Sequence, residues 1–166
     1  SFSRKACAEI RARLSPEARS AVLVSTFHAL AYSWMRRRHN GLSIITDVER
    51  ERFMSQYLSD RDTGGVPVSV LLRNKREFFA HMPRLCFDVH RAFALHKRGR
   101  GALEFDDLVR GMLRGLANGE FEEERRSFDL VVVDEFQDTD AEQLCFLRAL
   151  HTKQLVVVGD DYQSIY

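Results

Sequence analysis

Two short apolar runs, each cut off by acidic residues, dominate the hydrophobic pattern of this chain. Leu130-Val131-Val132-Val133 ends in Asp134-Glu135, and Leu155-Val156-Val157-Val158 ends in Gly159-Asp160-Asp161. Both runs are continuous rather than alternating, the pattern of strands buried on both faces of a parallel sheet. Between them, Ala141 to Leu150 places Leu144, Leu147 and Ala149 or Leu150 near helical spacing. That predicts the helical crossover that parallel strands need. Upstream, Ala6, Ile10 and Leu14 form the stripe of an amphipathic helix from Arg4 to Leu14, with Ser3 placed to cap it and Pro16 to end it. Ala21 to Ser25 reads as a short strand, and a helix follows from Ala29 to about Arg38. Asp47 to Leu58 reads as a helix, Ser59 to Pro67 as a loop, and Val68 to Leu72 is short and ambiguous. Arg73 to Met82 and Leu85 to Lys97 read as helices interrupted by Pro83. Asp106 is placed to cap a further helix reaching about Leu116, and Gly119 to Arg126 reads as an acidic-then-basic surface segment.

Composition changes this picture little. The 166 residues make one domain, or one plus an insertion, and 45% hydrophobic with 30% charged residues is ordinary for a globular chain. The formal net charge is only +1, so affinity for nucleic acid has to come from local patches. Cys7, Cys86 and Cys145 are odd in number and far apart, which excludes a disulfide framework or a zinc site. They are expected to be buried and reduced in a cytoplasmic protein. No apolar run reaches membrane-spanning length and no signal-peptide pattern occurs, so no membrane partner is expected.

Candidate chemistry sits at the two acidic strand ends. In open α/β sheets the ligand site lies outside the carboxyl ends of the strands. A carboxylate there can hold Mg²⁺, and its neighbour can orient or deprotonate an attacking water. The strings DEFQDTDAEQ (134–143) and VVVGDDYQSIY (156–166) resemble motifs II and III of the UvrD/Rep-type superfamily-one helicases. The resemblance implies a partial RecA-like (P-loop NTPase) parallel sheet of α/β class with a helical insertion. It also implies a motor that hydrolyses ATP with Mg²⁺ and moves 3′→5′ along single-stranded DNA towards single-strand/duplex junctions. On that mapping Asp134 binds Mg²⁺, Glu135 activates water, Gln163 senses the γ-phosphate, and Tyr166 joins an aromatic cluster on which bases stack.

Two further stretches resemble the same family. SFSRKACAEIRARL (1–14) is similar to motif Ia, with Ser1 where the family carries Thr, and it implies DNA contacts from Phe2 and Ser3. STFHALAYSWMRR (25–37) is similar to motif Ib and implies backbone contacts from Thr26, Phe27 and His28. A hydroxyl and an imidazole at a helix N-terminus can meet a phosphate through their donors and the helix dipole. Trp34 and Tyr32 are expected in the core, and Leu103 to Val109 resembles the family's DFDDLL segment. The domain expectation is therefore 1–38 with 104–166 as part of the first motor domain, and 39–103 as the helical insertion. In the insertion, Arg73, Lys75, Arg76, Arg84, Arg91, Lys97, Arg98 and Arg100 read either as a basic face towards duplex DNA or as dispersed surface charge.

No Gly is followed by Lys anywhere, so the phosphate-gripping G-x-x-x-x-G-K-[ST] loop does not occur in these residues. The resemblance places that loop before Ser1 and the second motor domain, with its arginine finger, after Tyr166. Tight ATP and Mg²⁺ binding needs the loop, so this stretch by itself is expected to bind nucleotide weakly and not to turn it over. The sheet, lacking the loop's strand beside the motif III strand, is expected to expose an apolar edge and to self-associate through it. Three other readings stay open. One is a catalytically silent single-strand-binding remnant of a helicase. Another is part of a helicase-nuclease subunit of the RecB/AddA kind. The last is a metal-dependent hydrolase using Asp134, Glu135 and Asp160, which leaves Gln163 to Tyr166 without a role.

Overall fold

The computed structural model describes residues 3–160. The chain divides into two compact units, Ser1–Asn40 with Asp106–Tyr166, and Gly41–Phe105. In chain order the first unit opens with helices α1 (Arg4–Arg13), α2 (Pro16–Ala21) and α3 (Phe27–Arg38). The second unit then runs β1 (Ser43–Ile45), α4 (Asp47–Ser59), α5 (Val68–Arg73), α6 (Lys75–His81), α7 (Pro83–Gly99) and β2 (Ala102–Glu104). The first unit resumes with α8 (Asp107–Ala117), α9 (Glu122–Arg125), β3 (Leu130–Val133), a 3-10 turn (Phe136–Asp138), α10 (Ala141–Ala149) and β4 (Gln154–Val157). The class is mixed α/β, mostly helical. Among the described residues the strands make two small parallel sheets, β1 with β2 and β3 with β4. None of the described helices is long and apolar enough to cross a membrane.

Local sequence explains most helix starts. Side-chain oxygens of Ser3, Ser15, Thr26, Asn74 and Asp140 each accept a backbone N–H from the third residue on, opening α1, α2, α3, α6 and α10. Thr46 and Glu49 form a reciprocal capping box at α4. Asp106 departs from the expectation. It occupies the cap position of α8 with helical backbone angles, and its side chain makes no cap hydrogen bond.

The core of the first unit is built on Trp34, which is 1% exposed. Its ring lies 5.9 Å from Phe146 edge-on, 6.1 Å from Phe121, and 6.2 Å from Phe128 in a near-parallel stack. Leu108, Met112 and Leu116 of α8 are buried in the same unit. Phe121 corrects the surface reading of Gly119 to Arg126. It is fully buried, and its backbone takes a left-handed φ of 60°. Its ring occupies the space a side chain at Gly115 would need, since a Cβ there would lie 2.4 Å from Phe121 Cε2. Gly115→Ala is therefore expected to cost about 1–3 kcal/mol through overpacking, read as a lower denaturation midpoint.

The second unit has its own core of Ile45, Met54, Leu58, Leu71, Phe78, Cys86, Val89, Phe93 and Ala102. β1 and β2, which the sequence pattern does not reveal, pair in parallel with Ser43 opposite Ala102 and Ile45 opposite Glu104. Glu104 accepts from Lys97 Nζ at 2.5 Å and from Arg50 at 3.4 Å. Lys97 is thus engaged by a carboxylate within the unit rather than contributing to a basic face. Arg84, Arg91 and Arg98 lie on the exposed side of α7 beside Phe87 and Leu95, which are 63% and 61% exposed.

Two expectations fail in the first unit. Val22 to Ser25 carries no strand pairing among the described residues, with Val22 and Leu23 exposed and Val24 buried. The two terminal apolar runs are strands but are not buried on both faces. Val133 is the buried residue of β3, and Leu155, Val156, Val157 and Val158 are each 45–51% exposed. Among the described residues β4 pairs with β3 on one side only, so its other side is the open apolar edge expected from the sequence. Cys7 and Cys86 are buried as expected, but Cys145 is exposed.

Candidate functional site

β3 and β4 are in parallel register, with Leu130 opposite Gln154 and Val133 opposite Val157. Both acidic strand ends therefore open at one end of the sheet. Backbone bonding continues past the strands. Val158 N–H donates to the Val133 carbonyl at 2.8 Å, and Phe136 N–H donates to the Val158 carbonyl at 2.9 Å.

Beyond half-buried Asp134, the chain turns at Glu135 with φ 53° and ψ 46°. This left-handed conformation costs a non-glycine residue roughly 1–3 kcal/mol and persists where the surrounding structure holds it. The turn exposes the Glu135 carboxylate and leads into the 3-10 turn, closed by Asp138 N–H on the Glu135 carbonyl at 3.0 Å. It also brings Gln137 back over the site. Gln137 Nε2 donates to Glu135 Oε2 at 2.6 Å, and its Oε1 accepts the Asp160 N–H at 3.2 Å. Sequence reasoning missed Gln137. The available signal was an amide two residues after a carboxylate, in a segment that has to turn immediately after a strand.

The donors at this end are hard carboxylate oxygens, the type Mg²⁺ takes. Among the described residues no group of three or more His, Cys, Asp or Glu side chains forms a metal cage. A nucleotide-borne Mg²⁺ needs none, because it uses one or two carboxylates, phosphate oxygens and water. Asp134 fits that role, with the exposed Glu135 carboxylate beside it. Asp138 Oδ1, Thr139 Oγ1 and Gln143 Oε1, in and just after the turn, are buried with no hydrogen-bond partner.

The second cluster is the start of α3. Thr26 Oγ1 accepts the Ala29 N–H at 3.2 Å, which leaves its own hydroxyl proton to donate. His28 is half-buried, and burial holds its imidazole below the ordinary value of 6.5, against the opposing pull of the Asp106 and Asp140 carboxylates. It is therefore mainly neutral at pH 7, able to donate one N–H but carrying no full charge. Phe27 is only 8% exposed and packs edge-on against Phe146 at 6.3 Å, so its ring belongs to the core. Ser3 is exposed, with its hydroxyl capping α1 through Ala6 N–H at 3.0 Å. Phe2, Gln163 and Tyr166 lie outside the described residues.

Known proteins resemble the chain over most of its length. It is 27% identical to the ATP-dependent DNA helicase Rep of Escherichia coli (strain K12), over 99% of this chain and 29% of that protein. It is 29% identical to the ATP-dependent DNA helicase PcrA of Leuconostoc citreum, over 99% of this chain and 26% of that protein. The RecBCD enzyme subunit RecB of Escherichia coli (strain K12) is 27% identical over 81% of this chain and 13% of that protein. The chain thus spans less than a third of the length of these relatives. The model of the UvrD/REP helicase N-terminal domain matches residues 68–166, more than half of the 166 residues and inclusive of both acidic strand ends, so this chain belongs to the UvrD/REP helicase family.

Proposed function

We propose that this chain is part of the first motor domain of an ATP-dependent helicase that moves 3′→5′ on single-stranded DNA and opens duplex at junctions. The observation that carries the reading is the pairing of β3 with β4, which sets Asp134-Glu135 and Gly159-Asp160 at one sheet end in a chain similar to Rep and PcrA. Residues 1–38 with 104–166 form the motor portion, part of a RecA-like sheet, and 39–103 form a helical insertion. The division into units at Asn40/Gly41 and Phe105/Asp106 supports those boundaries. Similarity to Rep and PcrA covers 99% of the chain, against 81% for RecB, which favours a stand-alone helicase over a helicase-nuclease subunit.

Asp134 would hold Mg²⁺, and Glu135 would take a proton from the attacking water. Bound ATP and Mg²⁺ supply the phosphoryl electrophile and neutralise its developing charge. Gln163 reads the γ-phosphate, and Tyr166 stacks on a base. Thr26, through its free hydroxyl proton, and His28, through a ring N–H, hold the DNA backbone, Ser3 contacts a phosphate, and Phe2 packs against a base or sugar. Phe27, with its ring in the core, positions the start of α3 instead.

His28 makes this reading testable by pH. A phosphate partner favours the imidazolium, so the complex takes up a proton and affinity rises as pH falls. Titration of a labelled single-stranded oligonucleotide with this chain is expected to show tighter, salt-sensitive binding as pH drops from about 8 to about 6. His28→Ala should flatten that dependence and weaken binding, and adding Tyr166→Ala should weaken it further. Binding with a pH profile that His28→Ala leaves unchanged would move the contact to other residues. Folding stability carries the opposite sign. The folded-state value of His28 is lowered, so its contribution is intact above 6.5 and is lost as pH falls towards the folded value.

A further inference from the structure

We infer that Gln137 is a positioning residue that orients the Glu135 carboxylate and locks it to the end of β4, so that the water-activating group and the Asp160 turn move as one unit. This rests on the proposed ATPase reading and specifies how its site is held.

The orientation of the Gln137 amide follows from its two neighbours. The Asp160 backbone N–H is a donor, so the atom facing it at 3.2 Å is the amide oxygen. The other atom is then the amide nitrogen, and it faces Glu135 Oε2 at 2.6 Å, a short charge-assisted bond. One side chain thus reads a carboxylate with its donor and a backbone amide with its acceptor. Neither bond can form if the amide is reversed.

Close packing under the amide makes the arrangement specific. A Cβ at Gly159 would lie 2.5 Å from Gln137 Oε1, 3.2 Å from Phe136 N and 3.3 Å from Gln137 N. A side chain at this position would push the Gln137 amide oxygen aside and ease the turn back by a few tenths of an ångström, so glycine leaves the amide its place. The bond from Phe136 N–H to the Val158 carbonyl, at 2.9 Å, ties the two backbones one step earlier. Glu135 itself is exposed and stands at a left-handed corner, where a carboxylate without a partner would sample several rotamers. General-base catalysis needs the carboxylate within hydrogen-bond reach of the water in one orientation, and a small misplacement costs rate rather than binding.

The test uses the longest natural chain containing this sequence, with DNA-stimulated ATP hydrolysis as the readout and Glu135→Gln as the reference for the reading beneath. Gln137→Leu removes both hydrogen bonds. Gln137→Glu keeps the acceptor for Asp160 N–H but sets a second carboxylate against Glu135. The inference expects kcat to fall about tenfold or more in both variants, with KM for ATP, single-strand affinity and Tm close to wild type. If Gln137→Glu keeps wild-type kcat while Gln137→Leu loses it, the amide is only a backbone clamp and the inference fails. If Glu135→Gln is inactive and both Gln137 variants stay within about twofold of wild type, the inference fails while the ATPase reading stands. If wild type lacks DNA-stimulated hydrolysis, or Glu135→Gln retains it, both fail together.

Discussion

Glu135→Gln is expected to reduce DNA-stimulated ATP hydrolysis by about 10²- to 10⁴-fold in the longest natural chain that contains this sequence. The substitution is nearly isosteric. A glutamine at this position can still accept the Gln137 Nε2–H bond that Glu135 accepts at 2.6 Å, so the turn after β3 keeps its shape. What disappears is the ability to take a proton. Nucleotide and single-strand binding should persist, because the proposed Mg²⁺ ligand Asp134 and the proposed DNA contacts at the start of α3 are untouched. Steady-state hydrolysis alongside equilibrium binding of ATP and oligonucleotide checks both halves. Equal losses of binding and turnover would mean that Glu135 supports the strand end rather than the reaction. Full turnover would remove it from the chemistry.

Trp34→Ala is expected to destabilise the first unit by about 3–5 kcal/mol, the range for deleting a buried aromatic. The ring meets Phe121, Phe128 and Phe146 at centroid distances of 5.9–6.2 Å, from three separate stretches of chain. Removing it opens a cavity that no single neighbour can fill. A domain holds only about 5–15 kcal/mol in all, so the loss brings the unit close to unfolding. Trp34 is the sole tryptophan, so wild-type fluorescence reports its burial directly, and circular dichroism can follow denaturant unfolding in both proteins. Trp34→Phe should recover much of the loss, because an aromatic ring still fills part of the space. A midpoint unchanged by Trp34→Ala would mean that the aromatic cluster does not hold the unit together.

Elements whose signal is local are legible in the order of residues alone. The caps at Ser3 and at Thr46, the neighbour of Asp47, lie within one turn of the helices they start. The runs ending in Asp134-Glu135 and Gly159-Asp160 mark two strands and the sheet end proposed as the site. Val68 to Arg73 is not legible in this way. Its valines and leucines suit a strand as well as a helix, and it is helical with Leu71 buried in the core of the second unit. β1 and β2 escape because three-residue strands carry no period, and their partners lie far apart in the chain. Val22 to Ser25 misleads in the other direction, since an apolar β-branched run becomes a paired strand only when another strand stands beside it.

By itself, the sequence determined the chemistry available at the site, the family resemblance, and the helices and strands whose caps and periods lie within a few residues. Those follow from side-chain type and short-range backbone preference, which are written locally. Tertiary structure decided the rest. It placed Phe27 and Phe121 in the core, engaged Lys97 with Glu104, and set the Gln137 amide between Glu135 and the Asp160 backbone. Each of these depends on what stands opposite a residue across the fold. Burial, pairing and hydrogen-bond geometry belong to two segments at once, and neither segment encodes them alone.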